Sequence, residues 1–436
     1  MSDLKMFKHI KEAVSAFMGR YNLIVLGGGP AGLAAAISAY DKGERSILIL
    51  EREEKLGGVL NSCIQDGFGI DVFGESLTGR DFVKRLVDKI EERKIAYKLN
   101  TTVLGITENK EIEAVSPSDG VMKLEARCII YTLGAREMPR GSLNIPGSRP
   151  IRGIYSAGAL QKLLDEGVKI DSKDVIILGS DDVGLSTANR LIKMGVNIKC
   201  VLEPKECIYG SFYNKEKSLD KNNIPLMLSH TITEIIGKNE LKSVKVKNLQ
   251  NGNEEKIDID TLIISVGLVP ECSVLNNLGL RMSEDTQAPI VNEHFESDIS
   301  GLFVCGNALY VHDIVDHIIE EAKECGRFAY DYIMHREGQE IKFEETIPFE
   351  HSNTVKGVVP QLFTKSQFPE ASVIRFRVKS TIKNAIIQVL LDNKPYIEIK
   401  RALLTANVVY PIFLYRQDIL VSAPSSIKVN VFSENQ

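Results

Sequence analysis

Near the start of the chain, Gly27-Gly28-Gly29-Pro30-Ala31-Gly32 has the residue types and spacing that cradle a pyrophosphate. The apolar run Leu23-Ile24-Val25-Leu26 precedes it and the small-residue run Ala34-Ala35-Ala36 follows, which reads as strand, tight turn and helix. Gly27 permits the turn, Gly29 lets the backbone approach a phosphate, and Gly32 lets the helix pack close to the strand. The helix start offers free N–H groups and partial positive charge. A second strand, Ser46 to Leu50, ends in Glu51, an acid placed to accept a hydrogen bond from a ribose hydroxyl.

The plan recurs. Val175-Ile176-Ile177-Leu178 leads into Gly179-Ser180-Asp181-Asp182-Val183-Gly184, a helix to about Met194, and a strand from Asn197 that ends in Glu203. The chain is therefore expected to hold two dinucleotide sites. In the second, Asp181 stands where the middle glycine belongs. A carboxylate about 5 Å from one phosphate charge, at an effective dielectric near 20, costs roughly 3 kcal/mol. That is on the order of a hundredfold in affinity. If the site works, Glu203 favours NAD(H) over its 2′-phosphorylated form.

Other segments must position these turns. Ala126 to Tyr131 and Leu302 to Cys305 read as apolar strands that stop near Gly134 and Gly306, returning to the first domain. From His351 the chain becomes β-rich, with short runs at 373–378, 385–391, 396–402, 408–414 and 427–431, as in a small β-sandwich. Phe7, Ile10, Val14 and Phe17 recur at helical spacing, so residues 1–20 predict an amphipathic helix rather than the continuous apolar core of a signal peptide. The expected organisation is α/β: two Rossmann-like dinucleotide-binding domains, the second inserted in the first, plus a small C-terminal β-sandwich. The first domain takes 21–150 and 265–345, the second 151–264, and the sandwich 351–436.

The 436 residues carry a net charge of −5, which gives no reason to expect nucleic acid or an anionic membrane as partner. No apolar run approaches the roughly 18 residues of a membrane span. Seven cysteines form no CxxC pair and no iron–sulfur or zinc spacing, so free thiols in a reducing cytoplasm and no metal are expected.

These motifs resemble the two-dinucleotide flavoproteins of the pyridine nucleotide-disulfide oxidoreductase superfamily, from about Tyr21 to Gln339. Within it the chain is similar to NAD(P)/FAD-dependent oxidoreductases associated with anaerobic glycerol-3-phosphate dehydrogenase, related to opine oxidase and hydrogen cyanide synthase subunits. The matching residues are Leu56 to Gly69, Leu77-Thr78-Gly79, Pro225 to Thr231 and Cys305 to Asp316. The resemblance implies that Gly27, Gly29, Gly32, Glu51, Gly57, Gly58, Val103, Gly134, Gly306 and Asn307 hold FAD. It implies that Gly179, Asp181, Gly184 and Glu203 meet NAD(H). It also implies a partner dehydrogenase subunit in a hetero-oligomer, with glycerol 3-phosphate as the substrate.

In such a protein the flavin carries the chemistry. A helix expected to start near Tyr310 or Val311 would aim positive potential at the ring. His312, Asp313, Asp316 and His317 would lie on its first turns, where His312 or Asp313 could bond the ring or move a proton, or the acids could simply cap the helix. Cys63 either packs beside the flavin or acts as a lone thiol, because Leu60 and Gln65 stand where paired cysteines would fall. His230 reads as a satisfied core or interdomain histidine. Two functions follow. One is an FAD-dependent NADH oxidoreductase subunit. The other is an FAD-bound electron-relay or assembly subunit whose second site does not work.

Overall fold

A computed structural model describes residues 18–336, 346–365 and 369–434. They form two compact units, one running through Ala135 and resuming at Pro270, the other comprising Arg136–Val269. The second unit thus opens at Arg136 and closes at Val269, wider at both ends than the 151–264 read from the sequence. The expected terminal helix lies outside the described residues, except that Met18–Arg20 are strand. They pair in parallel with Lys123–Glu125, which fixes them as extended backbone.

In the first unit β1 (Met18–Leu26) runs into α1 (Pro30–Lys42) and β2 (Ile47–Leu50). Then come α2 (Gly79–Arg93), β3 (Ala96–Lys98), β4 (Thr102–Ile106), β5 (Glu111–Ser116) and β6 (Gly120–Tyr131). The sheet order is β3-β2-β1-β6-β5-β4. β1, β2 and β3 are parallel to one another and β1 is parallel to β6, whereas β4, β5 and the start of β6 form an antiparallel meander. Parallel strands covered on both faces read as continuous apolar runs, and Leu23–Leu26 and Ile47–Leu50 are buried throughout.

The second unit contains β7 (Ile154–Ser156), α3 (Ala157–Asp165), β8 (Asp174–Leu178), α4 (Asp182–Lys193), β9 (Asn197–Glu203) and β10 (Leu226–Leu228). It continues with an antiparallel sheet of β11 (His230–Gly237), β12 (Leu241–Asn248) and β13 (Glu254–Asp258), then β14 (Thr261–Ile264). The parallel sheet has order β7-β14-β8-β9-β10. Alternate residues of β8 face opposite cores. Ile176 and Leu178 pack with β11 and β12, while Val175 and Ile177 pack with α3 and α4.

The chain re-enters the first unit, where β15 (Leu302–Val304) adds in parallel to the end of β6. α5 (Val315–Asp331) then lies along α1. The two helices approach closely because Ala35 faces Gly326. A Cβ on Gly326 would sit 2.2 Å from the Ala35 carbonyl oxygen.

The C-terminal part is a β-sandwich. Its strands are β16 (Thr346–His351), β17 (Val355–Val359), β18 (Leu362–Thr364), β19 (Ala371–Val378), β20 (Ile382–Leu391), β21 (Lys394–Leu404), β22 (Tyr410–Tyr415) and β23 (Ile427–Ser433). One sheet is β18-β16-β23-β20-β21 and the other β17-β19-β22. Ile374, Phe376, Phe363, Leu414 and Val429 fill the space between them. The sandwich also bonds the α/β part of its own unit. The Thr364 N–H donates to Glu293 at 2.9 Å, and His351 meets Asp285 at 2.8 Å.

Gly326→Ala should destabilise the protein by about 2 kcal/mol, because overpacking against backbone outweighs the gain in helix propensity. Urea unfolding measures it, with Lys323→Ala on the exposed face of α5 expected to change stability by less than about 0.5 kcal/mol.

Candidate functional site

At the first turn the backbone does what its glycines allow. Gly27 adopts φ +102°, and a Cβ on Gly32 would lie 1.9 Å from the Gly27 carbonyl oxygen. Gly29 begins α1 with no side-chain cap, and a Cβ there would meet no atom within 4 Å. Glu51 is buried and anchors the turn: Oε2 accepts from the Gly28 N–H at 2.7 Å and Oε1 from the Glu53 N–H at 2.9 Å. Each oxygen keeps a further lone pair.

Three other segments close on this turn. The Gly57 N–H donates to the Gly28 carbonyl at 2.7 Å, and a Cβ on Gly58 would lie 3.1 Å from the Gly29 Cα. Gly306 sits on the start of α1, where an added Cβ would be 2.7 Å from the Ala31 Cβ. The Thr101 N–H donates to the Glu51 carbonyl at 2.8 Å, which brings the strand of Val103 to the same edge. Gly134 has φ +74° with open space at its Cβ position. An uncapped helix start, an open glycine and a buried acid fit a dinucleotide phosphate and ribose. Gly27, Gly29, Gly32, Glu51, Gly57, Gly58 and Gly306 lie together around this turn.

The second turn has the same anchor. Glu203 Oε2 accepts from the Ser180 N–H at 3.0 Å and from its hydroxyl at 2.6 Å, and Oε1 accepts from the Lys205 N–H at 3.0 Å. A Cβ on Gly179 would lie 1.8 Å from the Ser265 carbonyl oxygen. Asp181 differs from the expectation that it lies open beside a phosphate. It is the N-cap of α4 in ordinary extended backbone, φ −71°, and its Oδ1 accepts from the Gly184 N–H at 2.8 Å. The Ser265 hydroxyl donates to the same oxygen. Burial pushes the Asp181 carboxyl up to about 6; the bonds from Ser265 and Gly184 oppose this, and the nearby charges of Asp182 and Glu137 add to it.

Ser265 is a functional residue missed in the sequence. Its signal was available: Ile263-Ile264-Ser265-Val266-Gly267 repeats Ile130-Tyr131-Thr132-Leu133-Gly134. Thr132 Oγ1 donates to the Leu26 carbonyl at 2.8 Å, whereas Ser265 turns to Asp181.

The expected catalytic residues do not gather. The helix starts at Val315, not near Tyr310, because Asn307 Oδ1 takes the His312 N–H at 2.9 Å and Ile314 is extended. His312 and Asp313 therefore precede the helix. His312 is turned inward, with Nε2 3.2 Å from Glu321 Oε2, and its Nδ1 has no hydrogen-bond partner among the described residues. Asp313 accepts from the Val409 N–H at 3.4 Å. Asp316 is buried and accepts from the Gly69 and Val72 N–H groups at 3.1 and 3.0 Å, which ties down a loop. Cys63 lies under Gly79 at the start of α2, where a glycine Cβ would be 2.5 Å from its own. His230 Nδ1 bonds the Leu228 carbonyl at 2.7 Å, a satisfied structural histidine.

Glu321 had no sequence signal. It is fully buried and accepts from the Gly306 N–H at 2.8 Å, with Arg375 of the sandwich 3.5 Å away. Burial alone would raise its carboxyl, but His312, Arg375 and the Gly306 N–H together hold it below the ordinary carboxylate range.

All seven cysteines are free thiols, and burial raises Cys200 and Cys272 to about 12. Among the described residues no group of side chains could hold a metal ion, and no helix is long and apolar enough to cross a membrane.

A family model described as pyridine nucleotide-disulphide oxidoreductase matches residues 21–328. An alkyl hydroperoxide reductase subunit of Staphylococcus aureus is 24% identical over 289 residues, which are 66% of this chain and 54% of that protein. The chain thus spans about half the length of the curated relatives it matches. Thioredoxin reductase of Lactococcus lactis superposes with a TM-score of 0.60 at 19% identity, over 72% of this chain and 99% of that one. L-proline dehydrogenase from P. horikoshii gives 0.53 at 18% identity, over 75% and 58%.

The Asp181 shift has a signed consequence for stability. Its folded value, about 6, lies above the ordinary 3.8, so the folded state takes up a proton between these values. Ionising Asp181 costs stability above pH 6, and the cost vanishes as pH falls toward 4. Asp181→Asn, which keeps an oxygen for Gly184, should therefore be more stable than the natural protein at pH 8. The difference should shrink below pH 6 and be absent near pH 4, as read by paired urea unfolding curves.

Proposed function

This chain belongs to the pyridine nucleotide-disulphide oxidoreductase family, whose members carry out redox chemistry with FAD and NAD(P)H, and from that premise we propose that it is the FAD-bearing subunit of a dehydrogenase. Its flavin exchanges hydride with a nicotinamide and electrons with a partner subunit, and glycerol 3-phosphate is the substrate class implied by the sequence resemblance. The observation that carries this reading is the open, uncapped glycine start of α1, held by Glu51 and closed by Gly58 and Gly306.

Bound FAD supplies reversible two-electron chemistry that no side chain can. The protein's part is to bind and orient it. Gly29 and Gly32 present the start of α1 to the pyrophosphate, Glu51 offers free lone pairs to the ribose, and Gly57-Gly58 cover the turn. The first turn of α5 lacks a side-chain cap because its N-cap residue, Ile314, has no acceptor, while Asp316 in that turn bonds Gly69 and Val72, so its N–H groups remain available to stabilise negative charge.

The thioredoxin reduction named for one similar structure is not carried over. Disulfide exchange needs a thiolate and a resolving partner. Here the sequence has no CxxC pair, and Cys63 is the lone thiol of its loop. With no cysteine spacing for an iron–sulfur centre in the sequence, electrons leaving the flavin go to oxygen, a soluble acceptor or another subunit's cofactor, and the sequence resemblance favours another subunit.

A second reading keeps FAD but gives the chain only a relay or assembly role. The return of the Asp181 carboxylate onto its own helix favours it.

Gly29→Asp, which gives the first turn the residue of the second, should weaken FAD binding on the order of a hundredfold. Retention of flavin absorbance through desalting measures it. Cys63→Ser should retain FAD and leave the anaerobic flavin reduction rate within about twofold. Undiminished FAD in Gly29→Asp would remove the first turn as the flavin site. A large rate loss in Cys63→Ser would restore a thiol mechanism. In the native assembly, glycerol 3-phosphate should bleach the flavin anaerobically, and an oxidised flavin there would reject that substrate.

A further inference from the structure

The two dinucleotide turns share their backbone bonds and their anchoring acid, and differ at the residue that begins the helix. Glu51 holds Gly28 as Glu203 holds Ser180. The Gly57 N–H donates to the Gly28 carbonyl and the Gly210 N–H donates to the Ser180 carbonyl, each at 2.7 Å. The Leu33 N–H reaches the Gly29 carbonyl at 3.0 Å and the Leu185 N–H reaches the Asp181 carbonyl at 2.9 Å. At the helix start itself the bonding differs: Thr132 bonds the Leu26 carbonyl beside Gly29, whereas Ser265 bonds the Asp181 carboxylate. In the first turn no side chain caps the helix. In the second the Gly184 N–H already has a carboxylate.

We propose that Asp181, steadied by Ser265, is an affinity-determining residue that stands in for a dinucleotide phosphate at the second turn. A nicotinamide nucleotide enters only by displacing this carboxylate from the Gly184 N–H. The inference rests on the reading that the second unit serves a nicotinamide nucleotide. A carboxylate at an N-cap and a phosphate at a helix start use the same donors and the same partial positive charge. They therefore compete, and two anions cannot share the turn without repulsion.

The surroundings offer that carboxylate little relief. Asp182 follows it and accepts from the Ser211 N–H and hydroxyl and the Asn214 amide. Glu137 bonds Ser156 and the Gly158 N–H, and Glu203 is on Ser180. Lys205, two residues beyond Glu203, carries its ammonium over the Tyr209 ring at 3.8 Å. Protonation of Asp181 removes the competing charge, so affinity for the nucleotide should rise as pH falls toward 6.

The test is calorimetric titration of the FAD-loaded full chain with NADH and, separately, ADP-ribose, which keeps the pyrophosphate but lacks the nicotinamide. Asp181→Gly should tighten both ligands on the order of a hundredfold at pH 7.5. Asp181→Asn should recover part of this and, because it retains the cap, covers the case in which the glycine variant folds poorly. In the natural protein the Kd for both should fall about tenfold per pH unit down to pH 6 and then level, as expected when one proton must bind. Neither variant should show that pH dependence. Micromolar binding by the natural protein that is unchanged in both variants, or an absent pH dependence, would overturn the proposal. Flavin content and bleaching by dithionite are read on the same samples. Their failure would instead count against the flavin reading, leaving the binding comparison intact.

Discussion

The structure depends on a carboxylate placed where a strand ends. In each unit the acid after the second strand reaches back to the N–H of the second fingerprint residue, Glu51 to Gly28 and Glu203 to Ser180. It also takes the N–H two residues further on, Glu53 or Lys205. A buried carboxylate with two N–H donors is costly to move, because losing either leaves a charge without its compensation. The bond therefore fixes where strand, turn and helix meet. The glycines then make the turn sterically possible, and the helix start is delivered to one place in space. The acid is thus part of the scaffold in both units.

On similar scaffolds the two turns differ in what their helix starts bond. Gly29 leaves the start of α1 uncapped, while Asp181 satisfies the start of α4 from within the chain. Helix starts need an acceptor, and a protein can supply it or leave it to a ligand. The first unit leaves it to the ligand. The second supplies it at the expense of a carboxylate held out of water. The Glu321 cluster shows the opposite solution to burying an acid. There His312, Arg375 and the Gly306 N–H compensate the charge, and Arg375 brings the β-sandwich into contact with the segment that carries Gly306 and Asn307. The sandwich is thereby part of the electrostatics of the first unit.

The parts of the fold that repeat locally were legible. The glycine turns, the strands 23–26, 46–50 and 175–178, and five of the sandwich strands follow from apolar period and turn residues alone. The sandwich strands at 346–351, 355–359 and 362–364 were not, because they are short and their pairing is set by distant partners, such as Phe349 with Ile427. The start of α5 was read too early, since a side-chain bond from Asn307 to the His312 backbone holds the chain out of helix. Asp181 was legible as an oddity, but its orientation was not, because that depends on Ser265, 84 residues away. Arg375 and Glu321 lay beyond any local pattern for the same reason.

Two turns of one design divide their roles: one leaves its helix start open to FAD, and at the other a nicotinamide nucleotide must compete with the chain's own carboxylate, so that it binds weakly at neutral pH. Native mass spectrometry of the purified protein in micromolar NADH at pH 7.5 counts the dinucleotides directly. The account expects one FAD per chain and no second dinucleotide mass. A chain carrying both FAD and NADH under those conditions, or one carrying no FAD, would contradict it.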